Sequence, residues 1–311
     1  MLCLFILSAC AYNDVSPWRF YSYDQLDLME MVQDPQGNTW LSIGGGSIKN
    51  YGALLEYNGA WQQSLIDNDS SIHASNLRIE ANGTKWLSFE HNLVSQVLAK
   101  VDAAGLTLFD NIAGVNDILI DRNGNKWISS NTDVVKYDGA NWTTYSSVCD
   151  LSAGLLLEDG QGNIWCTCYT GVTKFDGHSW TTYSAADGAP SLVGAAAVDK
   201  YGSIWFQESD GFVKYDGKDF IPIDRPAVGS DLYYPSLGTL NSDAAGNLWI
   251  LGVTKIYEIP KLLKFDGQIW SATEVPFNSD QCRYGGDLLA IDRQDNKWIA
   301  VSVNGIYVMR H

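Results

Sequence analysis

Positive charge is scarce in this chain, and no apolar run in it is long. The 311 residues include 20 Lys and Arg against 36 Asp and Glu, which gives a formal net charge of −16. Contacts with a nucleic-acid backbone or an anionic lipid surface depend on clustered Lys and Arg, so we expect neither as a partner. No apolar segment approaches the roughly 20 residues that a membrane-spanning helix needs.

Histidine and cysteine are also few, which limits the metal and acid–base chemistry available to the chain. The histidines are His73, His91, His178 and His311. Apart from Cys3 and Cys10 near the N-terminus, the cysteines are Cys149, Cys166, Cys168 and Cys282. Cys166 and Cys168 share one face of a predicted strand, but this spacing without a nearby histidine does not favour a metal site. A disulfide between Cys149 and Cys168 and a set of buried free thiols both remain open.

Tryptophan is abundant, and its positions reveal a repeat. All twelve tryptophans fall at one of two places in a unit that occurs seven times. The unit is about 40 residues long, a period typical of four-stranded propeller blades. The first place ends the phrase Asp-x-x-Gly-Asn-x-Trp. Copies of this phrase, the second of them looser, occupy residues 34–40, 80–86, 121–127, 159–165, 199–205, 243–249 and 292–298.

The third unit shows the order of its elements. Four short apolar runs are separated by turn-forming Gly, Asn and Asp, which predicts four strands joined by hairpins. These runs occupy residues 115–121, 126–130, 134–137 and 142–145. The Gly-Asn phrase forms the first hairpin, and an Asp-Gly phrase forms the third. We expect the Asp that begins each Gly-Asn phrase to accept backbone hydrogen bonds, as in Asx turns.

The second tryptophan place lies at the start of the fourth strand, after the Asp-Gly phrase. Five units carry Trp there, and Leu106 and Phe220 replace it in the other two. Large flat side chains at equivalent places suit the packing of each blade on the next. We therefore expect all twelve tryptophans to be committed to blade packing. Tyrosines then remain as the aromatic residues of any binding surface.

The last unit lacks a fourth strand of its own. It has predicted strands at residues 286–292, 297–301 and 306–309, while residues 18–21 match residues 142–145 in aromatic spacing. The sequence therefore predicts that the N-terminal segment completes the last blade, which removes the open edge of the array. The predicted fold is all-β, a single seven-bladed β-propeller of four-stranded antiparallel blades over residues 11–311.

The first ten residues carry a separate signal. An apolar run ends in Leu7-Ser8-Ala9-Cys10, which resembles the cleavage box of bacterial lipoproteins. The resemblance implies that residues 1–10 form a signal segment and that Cys10 is lipidated, so that this lipid is the only contact with a membrane. It also implies a periplasmic or cell-surface lipoprotein of a Gram-negative bacterium. The alternative is a short buried strand that ends in Cys10.

The repeat units resemble the two-component regulator propeller repeat. In that family a Gly-Asn-x-Trp strand is followed by the phrase Gly-x-x-Lys-Tyr-Asp-Gly, and residues 171–177 and 211–217 carry this phrase with Phe or Tyr. The family forms the extracellular sensor portion of hybrid histidine kinases. No kinase, DNA-binding segment or transmembrane helix follows Met309 in this sequence, so direct signalling is not expected. The resemblance implies a non-catalytic propeller of the cell envelope that binds a glycan, a peptide or an envelope protein without a cofactor.

Loops that depart from the repeat form the expected binding surface. Connections between blades and between second and third strands open around the channel mouth, where aromatic and polar side chains suit a sugar or a peptide. The predicted ligand-binding residues are Tyr169, Glu208, Tyr233, Tyr234, Arg283, Tyr284, Asp117 and His91. The channel-side ends of the inner strands carry Glu30, Asn76, Asp117, Thr239 and Asp287, which predict either an acidic throat or a water-filled channel that polar side chains keep hydrated.

Streptogramin lyases share the first phrase of the repeat, and this resemblance implies an enzymatic alternative on the same face. Their metal-assisted chemistry uses histidine with glutamate and magnesium on late blades. No histidine lies between Trp205 and Trp298 in this chain, and His91 beside Glu90 is the only pair near the rim suited to acid and base work. The turn Asp residues also lack the ligand pattern of an EF-hand. We therefore expect neither catalytic residues nor a metal.

Overall fold

The computed structural model describes most of the chain as strands. The described residues are 8–10, 18–22, 27–44, 53–65, 73–90, 96–150, 152–208, 211–224, 232–233, 240–254, 260–276, 288–301 and 305–311. They form seven antiparallel sheets and one short 3-10 helix. Within these ranges, no helix is long and apolar enough to cross a membrane. The architecture is the predicted seven-bladed β-propeller.

Two N-terminal strands precede the first complete blade, and the blades then follow in chain order. The N-terminal strands are β1 (Ser8–Cys10) and β2 (Trp18–Ser22). Blade 1 consists of β3 (Asp27–Gln33), β4 (Thr39–Gly44), β5 (Ala53–Tyr57) and β6 (Trp61–Leu65). Blade 2 consists of β7 (His73–Ile79), β8 (Lys85–Glu90), β9 (Val97–Asp102) and β10 (Gly105–Ala113). Blade 3 consists of β11 (Val115–Ile120), β12 (Lys126–Ser130), β13 (Asp133–Tyr137) and β14 (Trp142–Tyr145).

The later blades repeat this order with one addition in blade 6. Blade 4 consists of β15 (Ala153–Glu158), β16 (Ile164–Cys168), β17 (Gly171–Phe175) and β18 (Trp180–Ser184), and the 3-10 helix Ala185–Asp187 follows it. Blade 5 consists of β19 (Ala195–Val198), β20 (Ile204–Glu208), β21 (Gly211–Tyr215) and β22 (Phe220–Asp224). Blade 6 has two short inner strands, β23 (Leu232–Tyr233) and β24 (Leu240–Ser242), which both pair with β25 (Leu248–Thr254), and then β26 (Pro260–Phe265) and β27 (Trp270–Glu274). Blade 7 contributes β28 (Leu288–Ile291), β29 (Lys297–Val301) and β30 (Gly305–Met309).

The N-terminus closes the ring, as the sequence predicts. Strand β2 pairs antiparallel with β30, from Trp18 opposite Met309 to Ser22 opposite Gly305. Each inner strand also contacts the inner strand of the next blade, from β3 around the circle to β28 and back to β3. Strand β1 pairs with β2 and adds a fifth strand to the last blade, although the sequence analysis assigns these residues to a signal segment. Lipidation of Cys10 stays a prediction.

Each Asp-x-x-Gly-Asn-x-Trp phrase is one hydrogen-bonded unit. In blade 4, the backbone N–H groups of Gln161 and Asn163 donate to Asp159 Oδ1, both at 2.9 Å, as expected of an Asx turn. Asp159 Oδ2 accepts from Asn163 Nδ2 at 2.8 Å and from Trp165 Nε1 at 2.9 Å. The indole bond recurs in all seven blades, with a Glu as acceptor in blade 2. One carboxylate thus fixes both the turn and the tryptophan.

The second-strand tryptophans pack between blades. Trp127 of blade 3 lies in a cluster with Leu156 and Phe175 of blade 4, and Trp298 of blade 7 lies in a cluster with residues of blade 1. A lysine of the third strand covers the open side of the ring in blade 3, where Lys136 Nζ lies 5.1 Å from the centroid of Trp127. The predicted packing role of these tryptophans is therefore confirmed.

The two ends of the propeller differ in their loops. The first and third strands of every blade run toward the end that carries the Gly-Asn and Asp-Gly turns, here called the turn face. Connections between blades and between second and third strands lie at the opposite end, here called the rim face. In blades 1 to 4 a β-bulge interrupts the inner strand near its rim-face end. A bulge re-aims side chains locally, which brings polar groups of neighbouring inner strands together.

Candidate functional site

The structure places only part of the predicted ligand-binding set. The side chains of Tyr169, Glu208 and Asp117 lie within the described residues, and Tyr233 is described only as part of β23. The predicted site residues outside the described ranges are Tyr234, Arg283, Tyr284 and His91. Thr239 and Asp287 of the predicted throat also lie outside them. For these positions the binding role stays a prediction.

Two exposed residues, one aromatic and one aliphatic, lie on neighbouring segments of the rim face between blades 4 and 5. Tyr169, directly after β16, is 52% exposed, and Leu192, in the connection from blade 4 to blade 5, is 61% exposed. The backbone N–H of Leu192 donates to the carbonyl of Tyr169 at 3.3 Å, which joins the two chain segments. We call Tyr169, Leu192 and the adjacent Glu208 the rim site.

The connection that carries Leu192 is held at both ends. At its start, Asp187 caps the 3-10 helix, and its Oδ2 accepts from the backbone N–H of Ser184 at 2.9 Å. Farther along, the backbone N–H of Ser191 donates to Glu208 Oε1 at 2.8 Å. The structure therefore brings two predicted residues, Tyr169 and Glu208, to the same loop. The apolar partner, Leu192, was missed because nothing in the repeat marks an exposed leucine.

A disulfide braces the rim face beside Tyr169. Cys149 and Cys168 form it with a Cα–Cα distance of 5.3 Å, which resolves the alternative that the sequence leaves open. Thr170 Oγ1 donates to Asp150 Oδ2 at 2.6 Å and adds a second link between the same segments. Cys166 is a buried free thiol whose Sγ lies 3.9 Å from Cys149 Sγ. Burial raises the pKa of the Cys166 thiol to about 12, so it is not a nucleophile at neutral pH.

The predicted acidic throat contains a partly buried ion network, in which Asp117 is buried and Glu30 and Arg78 are partly exposed. Arg78 Nη1 lies 2.6 Å from Glu30 Oε1, and Arg78 Nη2 lies 2.8 Å from Asp117 Oδ1. The backbone N–H of Leu77 donates to Glu30, and the backbone N–H of Leu156 donates to Asp117 Oδ2 at 2.8 Å. The network therefore links the inner strands of blades 1, 2, 3 and 4. Asp117, a predicted ligand-binding residue, has both carboxylate oxygens engaged within the protein.

Burial and charge act against each other in this network. Burial raises the pKa of the Glu30 and Asp117 carboxyls above their ordinary values, while attraction to Arg78 opposes the rise. Burial alone would lower the pKa of Arg78, but the two carboxylates outweigh it and raise that pKa. Where blades 1, 2 and 3 meet, the throat therefore consists of an arginine between two carboxylates rather than an acidic surface.

One tryptophan departs from the expectation that all twelve are committed to blade packing. Trp142 is 38% exposed, although its ring stacks on Tyr137 with the ring centroids 4.4 Å apart. It lines a groove of about 320 Å³ between blades 2 and 3, together with Ile112, Val135 and polar side chains. Phe109 of blade 2 contacts Trp142, with the ring centroids 5.3 Å apart, and the register of β10 shifts between Phe109 and Ala113, beside Ile112 of the same groove.

The enzymatic alternative requires side chains that converge on a metal ion. Within the described ranges, no group of three or more His, Cys, Asp or Glu side chains could hold a metal ion. His178 lies in the turn between β17 and β18, on the turn face and away from the rim site. His91, on which the predicted acid–base pair depends, lies outside the described residues.

Solved structures with the same fold come from proteins of different function. No protein-family model matches the chain, and no curated protein sequence matches it. Streptogramin B lyase is similar with a TM-score of 0.70 and 10% identity, over 94% of this chain and 98% of the lyase. YCF48 bound to D1 peptide is similar with a TM-score of 0.65 and 14% identity, over 98% of this chain and 100% of YCF48.

A third similar structure is an extracellular domain assigned to a hybrid two-component system of B. thetaiotaomicron. Its TM-score is 0.57 at 14% identity, and the match covers 98% of this chain and 39% of that domain. The predicted resemblance to the sensor propellers of two-component systems is thereby confirmed for the fold. At such identities, shared architecture does not carry an activity or a ligand from one protein to another.

Proposed function

We propose that this protein is a non-catalytic binding propeller that recognises a protein or peptide partner through the rim site. The observation that carries the proposal is the exposed pair of Tyr169 and Leu192 on loops held by hydrogen bonds and a disulfide. Interfaces concentrate their binding energy in a few anchor residues, among which tyrosine is enriched, so Tyr169 is expected to contribute most. A preformed surface also avoids part of the entropy cost of ordering loops on binding.

Two similar structures support the class of partner and its location. YCF48, a propeller that this chain matches over its whole length, is seen bound to D1 peptide. The B. thetaiotaomicron structure is an extracellular domain, which supports a place in the cell envelope. We further propose that the lipid at Cys10 anchors the protein there. A Cys10→Ser variant should then leave the membrane fraction of a Gram-negative host, and its persistence in that fraction would contradict the anchor.

Peptide selection by phage display against the protein tests the rim site. For a selected peptide, Tyr169→Ala and Leu192→Ala should each weaken binding by roughly tenfold or more, as expected when an interface anchor is lost. The matched controls are Tyr201→Ala and Ile269→Ala. They remove exposed side chains of the turn face, where Tyr201 is 74% exposed, and should leave the affinity unchanged.

Three outcomes count against the proposal. The rim site is wrong if the control variants weaken binding as much as the rim variants do. A protein that selects no peptide but binds members of a glycan array recognises a glycan instead. Turnover of a streptogramin B substrate with Mg²⁺, lost in a His91→Ala variant, would show the lyase alternative. The likeness to streptogramin B lyase, at 10% identity, makes that assay worthwhile.

A further inference from the structure

Where blade 7 meets blade 1, the turn face carries two arginines at positions where no other blade has an arginine. Strand pairing aligns Arg310 with an acidic or amide residue in each of the other blades: Asn58, Asp102, Asp138, Asp176, Asp216 and Asp266. The same alignment places Arg19 of β2 where the other fourth strands carry neutral residues: Gln62, Thr107, Thr143, Thr181, Ile221 and Ser271. The blade turn does not require either arginine, because six other blades form without one.

Both arginines line the same cavity. This cavity, here called the seam pocket, has a volume of about 290 Å³ and opens between the turns of blades 7 and 1. Tyr57 and Trp298 contribute aromatic surface to its lining, and Asn58 contributes a side-chain amide. The volume is close to the lower limit of small-molecule sites, so a ligand the size of one sugar or one amino acid suits it.

The charge of the seam pocket is positive, although the chain as a whole is strongly acidic. Asp292 is the one acid among the lining residues. Its oxygens accept four hydrogen bonds, from the backbone N–H groups of Gln294 and Asn296, from Asn296 Nδ2 and from Trp298 Nε1. Arg19 and Arg310 are exposed, and their side chains form no ion pair or hydrogen bond with any residue that the structure describes. Two guanidinium groups are thus available to an incoming anion.

We propose that the seam pocket binds the carboxylate of a small ligand through Arg19 and Arg310. A guanidinium group presents a planar pair of donors that matches the two oxygens of a carboxylate. The one helix among the described residues, Ala185–Asp187, lies in the connection between blades 4 and 5, so no helix N-terminus adds donors for phosphate at this pocket. The carboxylate can belong to a sugar acid or to the end of a peptide chain. This site is separate from the rim site, because it lies on the opposite face.

Ligand-observed NMR and calorimetry with four probes test the pocket. Sodium glucuronate and N-acetylglycinate carry the carboxylate, while methyl glucoside and N-acetylglycinamide are their neutral counterparts. We expect the protein to bind at least one of the acids and neither neutral compound. The acid that binds more tightly identifies the source, a sugar acid or a chain end. Tighter binding of inorganic phosphate than of both acids would overturn the carboxylate assignment.

Variants that restore the repeat supply the decisive comparison. Arg19→Gln and Arg310→Asn introduce the residue types that blade 1 carries at the equivalent positions, Gln62 and Asn58. Each should weaken acid binding by roughly tenfold, the usual loss for one charge-assisted hydrogen bond, without changing the thermal unfolding midpoint.

The charge-matched control is Lys218→Gln, an exposed lysine in the turn of blade 5. This variant should bind the acids like the wild type, because it lowers the net charge equally but lies in another blade. Equal losses in the control and arginine variants, or no acid binding at all, would overturn the proposal. Tyr169→Ala should leave acid binding unchanged, so the seam pocket and the rim site can be tested independently of each other.

Discussion

At the scale of the residue, one carboxylate accounts for the fixed spacing of the blade motif. Asp159 accepts from two backbone N–H groups, from Asn163 and from Trp165, whose indole is fully buried. A buried indole N–H without an acceptor is costly, so the acid and the tryptophan belong together. Burial raises the pKa of Asp159, but the hydrogen bonds from Trp165, Asn163 and Gln161 outweigh it, and the net pKa lies below its ordinary value.

Asp159→Ala should therefore destabilise the fold by about 2–4 kcal/mol, because it leaves the buried Trp165 Nε1 without an acceptor and leaves Asn163 Nδ2 only a 3.4 Å bond to Gln161 Oε1. The matched control is Asp138→Ala in the exposed Asp-Gly turn of blade 3. Its backbone donors at Ala140 and Asn141 can bond to water instead, so the expected loss of stability is clearly smaller. Urea unfolding of both variants at pH 7 makes the comparison. Equal losses in the free energy of unfolding would show that the hydrogen bond from the Trp165 indole does not contribute to stability.

The same variant should show a specific dependence on pH. A carboxyl whose folded pKa is lowered stabilises the protein above its unfolded pKa, about 3.9 for Asp, and this contribution is lost as the pH falls through the folded value. The stability difference between wild type and Asp159→Ala should thus be constant above about pH 5 and shrink below about pH 4. A difference that stays constant into acid would contradict the lowered pKa.

At the scale of the element, Arg78 links inner strands that share no backbone pairing. Strand β7 carries it between Glu30 on β3 and Asp117 on β11, and Asp117 in turn accepts from the backbone of β15. The ion pairs are mostly shielded from solvent. Removal of Arg78 therefore leaves the carboxylates of Glu30 and Asp117 without a counter-charge, at a place where water solvates them poorly. Breaking a buried pair by removing one partner is far more destabilising than breaking an exposed one.

Arg78→Met keeps the apolar stem and removes the charge, and we expect it to cost clearly more at pH 7 than the roughly 1 kcal/mol of an exposed ion pair. Burial already raises the pKa of Glu30 and Asp117, and the loss of Arg78 removes the attraction that opposes this rise. A raised folded pKa favours folding below the unfolded pKa, and that advantage disappears as the pH rises. The deficit of Arg78→Met should therefore shrink as the pH is lowered from 7 toward 4.

Arg122→Met provides the control for this prediction. Arg122 also joins two blades through an ion pair, with Glu158, but its side chain is about half exposed. The expected loss is below about 1 kcal/mol, as for other exposed ion pairs. Chemical unfolding as a function of pH distinguishes the two variants. If Arg78→Met behaved like Arg122→Met at pH 7, the network would not be the link between inner strands that its geometry indicates.

The elements differ in how far the sequence predicts them. The strands of blade 3 follow from the repeat almost to the residue, because turn residues bound each apolar run. Arg78 could not be predicted in the throat, since β7 has a bulge that shifts its register and no motif marks that irregularity. The sequence does not decide whether Cys149 pairs with Cys168, because the distance between these two residues depends on the fold. Trp142 stacks on Tyr137, but its 38% exposure beside the irregular strand β10 departs from the packing role that the motif predicts.

At the scale of the whole molecule, the core consists of shared interfaces. Each hydrophobic cluster joins two adjacent blades, including one between blades 7 and 1. No blade can bury both of its faces alone, so the stability of the array depends on an unbroken circle. Trp18 on β2 is buried against residues of blades 6 and 7, such as Trp249 and Leu289. The N-terminal strand therefore fills the core as well as covering the edge of β30.

Two truncations separate closure of the ring from the rest of the N-terminus. Removal of residues 1–22 deletes β2 with Trp18 and exposes the edge of β30, which favours aggregation through strand pairing. Removal of residues 1–10 deletes only β1, the outermost strand. We expect the longer truncation to abolish cooperative thermal unfolding and to aggregate in light scattering, while the shorter one melts within a few degrees of the full chain.

Trp18→Ala, which keeps the backbone of β2, should cost about 3–5 kcal/mol. Closure by β2 would be refuted if the chain without residues 1–22 stayed monomeric with an unchanged midpoint.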